Sequence, residues 1–304
     1  MGKLKIGFIW FGSSDKHTFE HWNDGLRQAM RYIEKEHDVS YLEPTDNLDG
    51  YDVLLLWEAP CTINNKDYEP WYRAVQFHTG KKALLFAGGP MLRDGLDGFD
   101  IIFTESQVND DELIRMGYTF RRAFGINDLV FKPLDVPRIY GGIHPATCAS
   151  WKRQGLLCKA LKKRAVVCGR NQETDPTPFQ ECEKQGSTLL GELSYPEVNK
   201  ALNQSQAMIN TADLWGGGQR ATLEAMATNT PPIVMSDSPK NKEYVEESGY
   251  GIIAEPNEEA IRGALRLVES FTEEQRNQGR KYIENKWTAR HYADSLLEGI
   301  KSIL

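Results

Sequence analysis

The sequence predicts an α/β protein that consists of two doubly wound domains in series. Short apolar runs alternate with amphipathic segments through most of the 304 residues, which is typical of parallel strands buried on both faces. A segment with two prolines, residues 131–137, separates two such series. A chain of this length can form two domains, each with its own apolar core.

The spacing of apolar residues predicts the elements in order. In the first half, the predicted strands are residues 5–11, 53–57, 83–87 and 101–104, with helices at 19–37 and 68–79. In the second half, the predicted strands are 165–168, 207–210 and 233–235, with helices at 196–205 and 223–227. The tail, 272–304, is predicted to be helical, with an apolar stripe formed by Tyr292, Leu296, Leu297, Ile300 and Leu304.

The composition argues against several classes of protein. A net charge of −7 disfavours general binding to nucleic acids or anionic membranes. The apolar run near the N-terminus is only a few residues long, so we interpret it as a first buried strand and expect no membrane span. The five cysteines are scattered and form no C-x-x-C pair, which favours reduced thiols and a cytoplasmic location.

A glycine-rich unit is the most informative part of the chain. Three glycines at 216–218 lead into the helix predicted at 223–227, and a strand follows after two prolines. Glycines allow a ligand to approach the backbone closely, and the free N–H groups at the start of a helix bind anions. Glu224 lies one turn inside that helix, where a carboxylate can accept two hydroxyl hydrogens from a ribose. The unit therefore suits a nucleotide-linked ligand.

The same region resembles a known family of enzymes. Leu223-Glu-Ala-Met-Ala227, Pro232-Ile-Val234 and Ser236-Asp237 resemble the donor-binding signature of the GT-B glycosyltransferases, in the retaining group called group 1 or family 4. Further matching positions are Glu243, Val245, Gly249, Gly251, Ile252, Ile253 and Pro256, and the stretch 123–133 resembles the segment that closes the family's first domain.

This resemblance implies a fold and a domain plan. We expect two Rossmann-like domains with a cleft between them and a C-terminal helix that crosses back. The acceptor-side domain would comprise residues 1–132 together with 288–304, and the donor domain would comprise 133–287. The implied reaction is transfer of a sugar from a nucleotide-diphosphate sugar to a glycan or other hydroxyl acceptor, with retention of configuration.

The resemblance also implies the roles of individual residues. Glu224 would hold the ribose, and Lys152 and Arg153 would hold the diphosphate, on which negative charge grows as the glycosidic bond breaks. Backbone amides of Gly217, Gly218 and Gln219 would hold the sugar. The full set of residues expected to bind the donor, besides those three charged residues, is Gly12, Ser13, Arg170, Asn171, Gly217, Gly218, Gln219 and Thr222.

Other interpretations of these residues remain open. The first glutamate of the family's pair falls at Gly216, which has no side chain, so the chain could instead bind nucleotide-sugar or glycan without turnover. A sugar-nucleotide epimerase or a phosphorylase is a further alternative. Lys152 and Arg153 could be solvated charges, and His144 could face the cleft or be structural. Asp15 and His17 are candidates for the acceptor side. Trp10, Trp57 and Trp71 could belong to the core or stack on an acceptor.

The sequence contains no D-x-D motif, and its histidines and cysteines lack the spacing of metal ligands. We therefore expect a metal-independent protein whose only cofactor-like ligand is the donor substrate itself.

Overall fold

The computed structural model describes residues 2–10, 23–43, 46–57, 78–86, 96–170, 176–214, 217 and 219–304. The chain divides into two compact units. The first unit comprises Met1–Gly125 and Ala289–Leu304, and the second comprises Ile126–Thr288. The predicted helix at 68–79 lies almost entirely outside the described residues.

Among the described residues, strands and helices alternate from 140 to 269, and further helices follow to the end of the second unit and beyond. The strands are β1 Lys5–Trp10, β2 Asp38–Leu42, β3 Val53–Trp57, β4 Lys81–Leu85, β5 Ile101–Thr104, β6 Phe120–Arg122, β7 Tyr140–Pro145, β8 Ala165–Cys168, β9 Thr188–Leu189, β10 Ser205–Asn210, β11 Pro232–Met235 and β12 Ile252–Ala254. The helices are α1 Gly25–Ile33, α2 Gln107–Met116, α3 Gln154–Leu161, α4 Thr177–Lys184, α5 Tyr195–Asn203, α6 Gln219–Ala227, α7 Pro239–Ser248, α8 Glu258–Glu269, α9 Glu273–Arg276, α10 Gln278–Lys286 and α11 Ala289–Ile303.

The first unit contains a parallel sheet in the order β2-β1-β3-β4-β5-β6. The residues of β5 are buried throughout, as the continuous apolar runs predict for a sheet covered on both faces. Helix α11 completes this unit, because Leu296 and Ile300 are buried and Gly299 lies directly against the ring of Phe103. The apolar stripe predicted in the tail is confirmed, except that Leu304 is exposed.

The helix predicted at 19–37 is shorter in the structure. Helix α1 begins after Asp24, whose side chain accepts a hydrogen bond from the backbone N–H of Arg27 at 2.8 Å. It ends at Ile33 because the following turn leads directly into β2. His37 closes that turn, since its Nδ1 accepts a hydrogen bond from the Leu4 N–H at 3.1 Å.

The second unit contains a parallel sheet in the order β12-β11-β10-β7-β8-β9. Its core lies between the sheet and the helices, where Leu157, Ile209, Ile233 and Leu265 are buried together. The two ends of the unit meet, because the Ile126 N–H donates to the Trp287 carbonyl at 2.9 Å.

The proline-containing segment 131–137 is held within this second unit. Phe131 is fully buried, and the backbone N–H groups of Lys132 and Leu134 donate to the side chains of Asn199 and Asn203. In the part of the chain that the structure describes, no helix is both long and apolar enough to span a bilayer.

Candidate functional site

The strand order of the second sheet creates a crevice at the carboxyl ends of β7 and β10. The chain starts this sheet in its centre with β7, adds β8 and β9 on one side, and then adds β10, β11 and β12 on the other. Because β7 and β10 are parallel neighbours, both end at the same edge of the sheet. Ligands of open α/β sheets bind where the strand order reverses in this way.

Thr211, the residue after β10, holds the turn that carries Lys152 and Arg153. This turn runs from Ser150 into α3. Arg153 has a left-handed backbone with φ of 52°, a conformation that residues other than glycine rarely adopt. The Thr211 hydroxyl oxygen lies 2.8 Å from the Lys152 carbonyl oxygen and 3.0 Å from that of Arg153. These contacts fix the turn to the edge of the sheet where β10 ends.

Arg153 is bound to neighbouring protein groups. Its Nε donates to the Thr211 carbonyl at 2.6 Å, and its two terminal nitrogens donate to the two carboxylate oxygens of Asp237 at 2.7 and 2.8 Å. The guanidinium holds the pKa of Asp237 below its usual value. The structure thus gives Arg153 an internal ion pair, and its contact with a diphosphate stays a prediction.

Lys152 points towards the glycine-rich unit. Its Nζ lies 3.9 Å from the point where a Cβ on Gly217 would stand. Burial lowers the pKa of Lys152 to about 8, and the nearby Asp213 opposes that shift. The structure therefore brings together two of the residues that the sequence predicts for the donor site.

His144 contacts Thr211 from inside the sheet. It lies on β7, it is buried, and its Nδ1 is 3.1 Å from the Thr211 hydroxyl oxygen. Burial, with smaller contributions from Lys152 and Arg153, lowers the pKa of His144 to about 3. The imidazole is therefore neutral at physiological pH and positions Thr211.

A buried network fixes the backbone at Gly217. The Asn241 side-chain nitrogen donates to the Gly217 carbonyl at 2.9 Å. The Asn241 side-chain oxygen accepts from the Thr222 hydroxyl at 2.8 Å and from the Asn210 amide at 3.0 Å. Gly217 has φ of +56°, a conformation that glycine adopts easily. The network thus connects β10, α6 and α7 around the glycine.

Helix α6 carries three of the predicted residues, and it begins at Gln219 rather than at 223. Gln219, Thr222 and Glu224 are all buried. The Thr222 hydroxyl donates to Asn241, so this hydrogen-bond network explains the buried position of Thr222. The Glu224 carboxylate contributes, after burial and Cys148, to raising the pKa of Cys168 to about 12. Glu224 therefore lies near the end of β8.

The remaining predicted residues lie at the edge of the site or beyond the described residues. Arg170 has an exposed side chain just after β8, and its carbonyl accepts a hydrogen bond from the Cys148 N–H at 2.9 Å. Trp10 and Trp57 have ring centroids 5.6 Å apart, and Trp10 is buried, so the two rings form part of the first unit's packing. The predicted positions outside the described residues are Gly12, Ser13, Asp15, His17, Trp71, Asn171, Gly216 and Gly218.

A pocket of about 520 Å³ opens beside Arg153 in the second unit. It lies between α3 and the first turn of α4, and its lining includes Leu156, Lys159, Glu181 and Pro256. Of the predicted donor residues, Arg153 lines this pocket.

Sequence reasoning missed three supporting residues of the site, Thr211, Asp213 and Asn241. Thr211 and Asp213 directly follow the strand β10, and polar residues at the carboxyl end of a parallel strand are a recognisable signal. Asn241 lies inside a helix and carries no such local signal.

Comparisons with known proteins agree with this fold. Residues 147–286 match the family model described as group 1 glycosyl transferases, whereas no curated protein matches the chain. A glycosyltransferase structure from Rickettsia africae is 14% identical, with a TM-score of 0.73 over 100% of this chain and 99% of that one. Sucrose-phosphate synthase from Thermosynechococcus elongatus is 11% identical, with a TM-score of 0.74 over 99% of both chains. HepE from Anabaena, solved with UDP, is 12% identical, with a TM-score of 0.73 over 98% of this chain and 100% of that one.

Proposed function

We propose that the protein transfers a sugar from a nucleotide-diphosphate sugar to a hydroxyl acceptor, because residues 147–286 match the family model of group 1 glycosyl transferases. The chain has the GT-B fold of its structural neighbours, as its sequence predicts. The family match lies within the second unit, so we assign the donor to that unit and the acceptor to the first. Retention of configuration and independence from metal ions are parts of the same proposal.

The observation that carries the proposal is the position of Lys152 against Gly217 at the start of α6. A cation, a glycine that leaves space, and the N-terminus of a nine-residue helix converge there. The ammonium and the helix N-terminus stabilise negative charge, and the glycine allows a ligand to approach the backbone closely. Their meeting at the switch point of the sheet suits the diphosphate of a nucleotide-sugar.

The chemistry follows from this placement. As the bond between the sugar and the diphosphate breaks, negative charge develops on the leaving phosphate oxygen. The Lys152 ammonium and the first N–H groups of α6 would stabilise that charge without a metal ion. Glu224, buried near the end of β8, would accept the ribose hydroxyls and fix the nucleotide.

The first test is thermal unfolding in the presence of UDP, GDP, ADP, dTDP and CMP. UDP is tested first because the HepE structure was solved in complex with UDP. At a hundredfold excess over the dissociation constant, binding adds about 2.7 kcal/mol of stability, so a clear rise in midpoint is expected for one nucleotide. A flat response to all five would overturn the proposal.

Turnover separates transfer from binding alone. With sugar donors of the nucleotide that binds, we expect release of the nucleoside diphosphate, slowly to water and faster with an acceptor. Tight binding without any release would support the alternative of a non-catalytic binding protein. The anomeric configuration of the product, measured by NMR, tests retention.

A further inference from the structure

We propose that the side-chain amide of Gln219 is a phosphate ligand, donating from Nε2 to an oxygen of the diphosphate that Lys152 neutralises. This inference rests on the proposed function and adds to it a side-chain contact, where the sequence predicts only the backbone of Gln219. It also places the residue at the diphosphate rather than at the sugar.

The starting observation is a buried donor for which the described residues offer no acceptor. Gln219 is the first residue of α6 and is only 2% exposed. Its Nε2 is buried and has no hydrogen-bond acceptor in the part of the chain that the structure describes. Because a buried N–H without an acceptor destabilises a folded protein, each such group needs an explanation. A ligand that brings an acceptor oxygen provides one.

The neighbours of Gln219 indicate which kind of oxygen that is. The Gln219 side-chain oxygen lies 3.3 Å, and the Lys152 Nζ 3.9 Å, from the same point, where a Cβ on Gly217 would stand. The amide and the ammonium therefore flank one place at the positive end of α6. An ammonium, an amide N–H and a helix N-terminus together select an oxygen that carries negative charge.

The pairing of Arg153 strengthens the assignment. Arg153, which the sequence predicts as a ligand of the diphosphate, makes a bidentate ion pair with Asp237 and donates a further hydrogen bond to the Thr211 carbonyl. Arg153 is thus engaged with Asp237, whereas the Gln219 amide lies near the same point as the Lys152 ammonium. The terminal torsion of a glutamine side chain has a broad energy profile, so the amide can turn towards a ligand at little cost.

The test compares Gln219→Met and Gln219→Glu with the wild-type protein by calorimetry. The probe is UDP, or whichever of GDP, ADP and dTDP gives the largest thermal shift, and the corresponding nucleoside is the control ligand. We expect Gln219→Met to weaken the diphosphate by about tenfold, the lower range for a hydrogen bond to a charged group, and to leave the nucleoside unchanged. Gln219→Glu, of the same size but negatively charged, should weaken it further.

The melting temperature of the ligand-free protein provides a second measurement, in which a ligand-binding role and a structural role of Gln219 predict opposite changes. Gln219→Met removes the buried amide, so its melting temperature without ligand should equal or exceed that of the wild type. A merely structural role for Gln219 predicts a lower melting temperature and an equal loss for diphosphate and nucleoside, and that result would overturn the inference.

Lys152→Met distinguishes failure of this inference from failure of the proposed function. If the wild type binds a nucleoside diphosphate and Lys152→Met weakens it while Gln219→Met does not, the assignment of Gln219 is wrong and the proposed function stands. If the wild type binds none of the four diphosphates, both are overturned.

Discussion

At the scale of single residues, we expect Lys152 to make nucleotide binding depend on pH. Burial lowers its pKa to about 8 from 10.5, so the ligand-free ammonium loses its proton as pH rises through 8. A bound diphosphate favours the charged form, so binding takes up a proton. We expect affinity for a nucleoside diphosphate to be constant below pH 7 to 8 and then to fall by up to about tenfold per pH unit.

Calorimetry between pH 7 and 9.5 measures this effect. Lys152→Arg is the matched control, because arginine stays charged throughout that range and should show little pH dependence. An equally steep decline in the arginine variant would assign the effect to another group.

His144 makes folding stability depend on pH in the acidic range. Its pKa is lowered from 6.5 to about 3 by burial, so the unfolded chain binds a proton at a higher pH than the folded protein does. Its contribution to stability is complete above pH 6.5 and is lost as pH falls from 6.5 towards 3. Between pH 7 and 5 the loss from this residue is about 2 kcal/mol.

Urea unfolding at pH 7 and pH 5 checks this prediction with the wild type and His144→Asn. The asparagine variant should be less stable at pH 7 and should lose less stability on acidification. His37 and His78, whose pKa values are also lowered by burial, remain in both proteins and therefore cancel. Identical pH dependence in the two proteins would contradict the assignment.

At the scale of elements, Asn241 connects three segments that are far apart in sequence. Replacing Asn241 with alanine removes the side-chain donor to the Gly217 carbonyl and the acceptor of the Thr222 hydroxyl. We expect the free energy of unfolding to fall by about 1–3 kcal/mol and nucleotide affinity to fall as well, because the backbone at Gly217 is no longer held.

Thr228→Val serves as the control for Asn241→Ala. Thr228 is also buried and lies just beyond the other end of α6, where its hydroxyl donates to the Ala225 carbonyl at 2.8 Å. It should reduce stability and leave affinity unchanged in a titration with the bound nucleotide. Equal loss of affinity in both variants would mean that general destabilisation, rather than the position of Gly217, is responsible.

At the scale of the whole molecule, the two units differ in how they are built. The second unit is one continuous stretch, Ile126–Thr288, and a bridge between Ile126 and Thr288 joins its ends. The first unit needs two separate stretches, because α11 supplies buried residues to it. We expect a fragment of residues 126–288 to unfold cooperatively and to bind nucleotide, but to catalyse no transfer.

The matched fragment is residues 1–125. It lacks Leu296 and Ile300, and loss of a single large buried side chain already costs about 2–5 kcal/mol. Circular dichroism and urea unfolding should show a stable 126–288 fragment and an unstable 1–125 fragment. A 126–288 fragment that fails to fold would show that the second unit depends on the first.

Much of the fold was predictable from local patterns. The strands at 53–57, 101–104 and 165–168 are confirmed with the same bounds, because continuous apolar runs are a strong signal for buried parallel strands. The edge strands β2 and β9 were not predicted, since they are only partly buried and lack such runs.

The charged residues of the candidate site were predicted from the sequence, and their role stays a prediction, whereas their contacts with other residues could not be predicted. The helix motif around Glu224 and the basic pair at Lys152 and Arg153 are visible in sequence, and both lie in the second unit near the switch point. Their partners are remote: Asp237 is 84 positions from Arg153, and Asn241 is 24 positions from Gly217. No local pattern records pairs that only the order of the strands brings together.

By itself, the sequence determined the two doubly wound domains and predicted a region for the donor site, because apolar periodicity and helix-start motifs act between neighbouring residues. Only the tertiary structure decided the orientation of the adjacent cations. Arg153 pairs with Asp237 and Lys152 faces Gly217. The physical reason is that the strand order of the second sheet places the ends of β7, β10 and β11 at one edge, and this edge supplies the carboxylate for one cation and the glycine for the other.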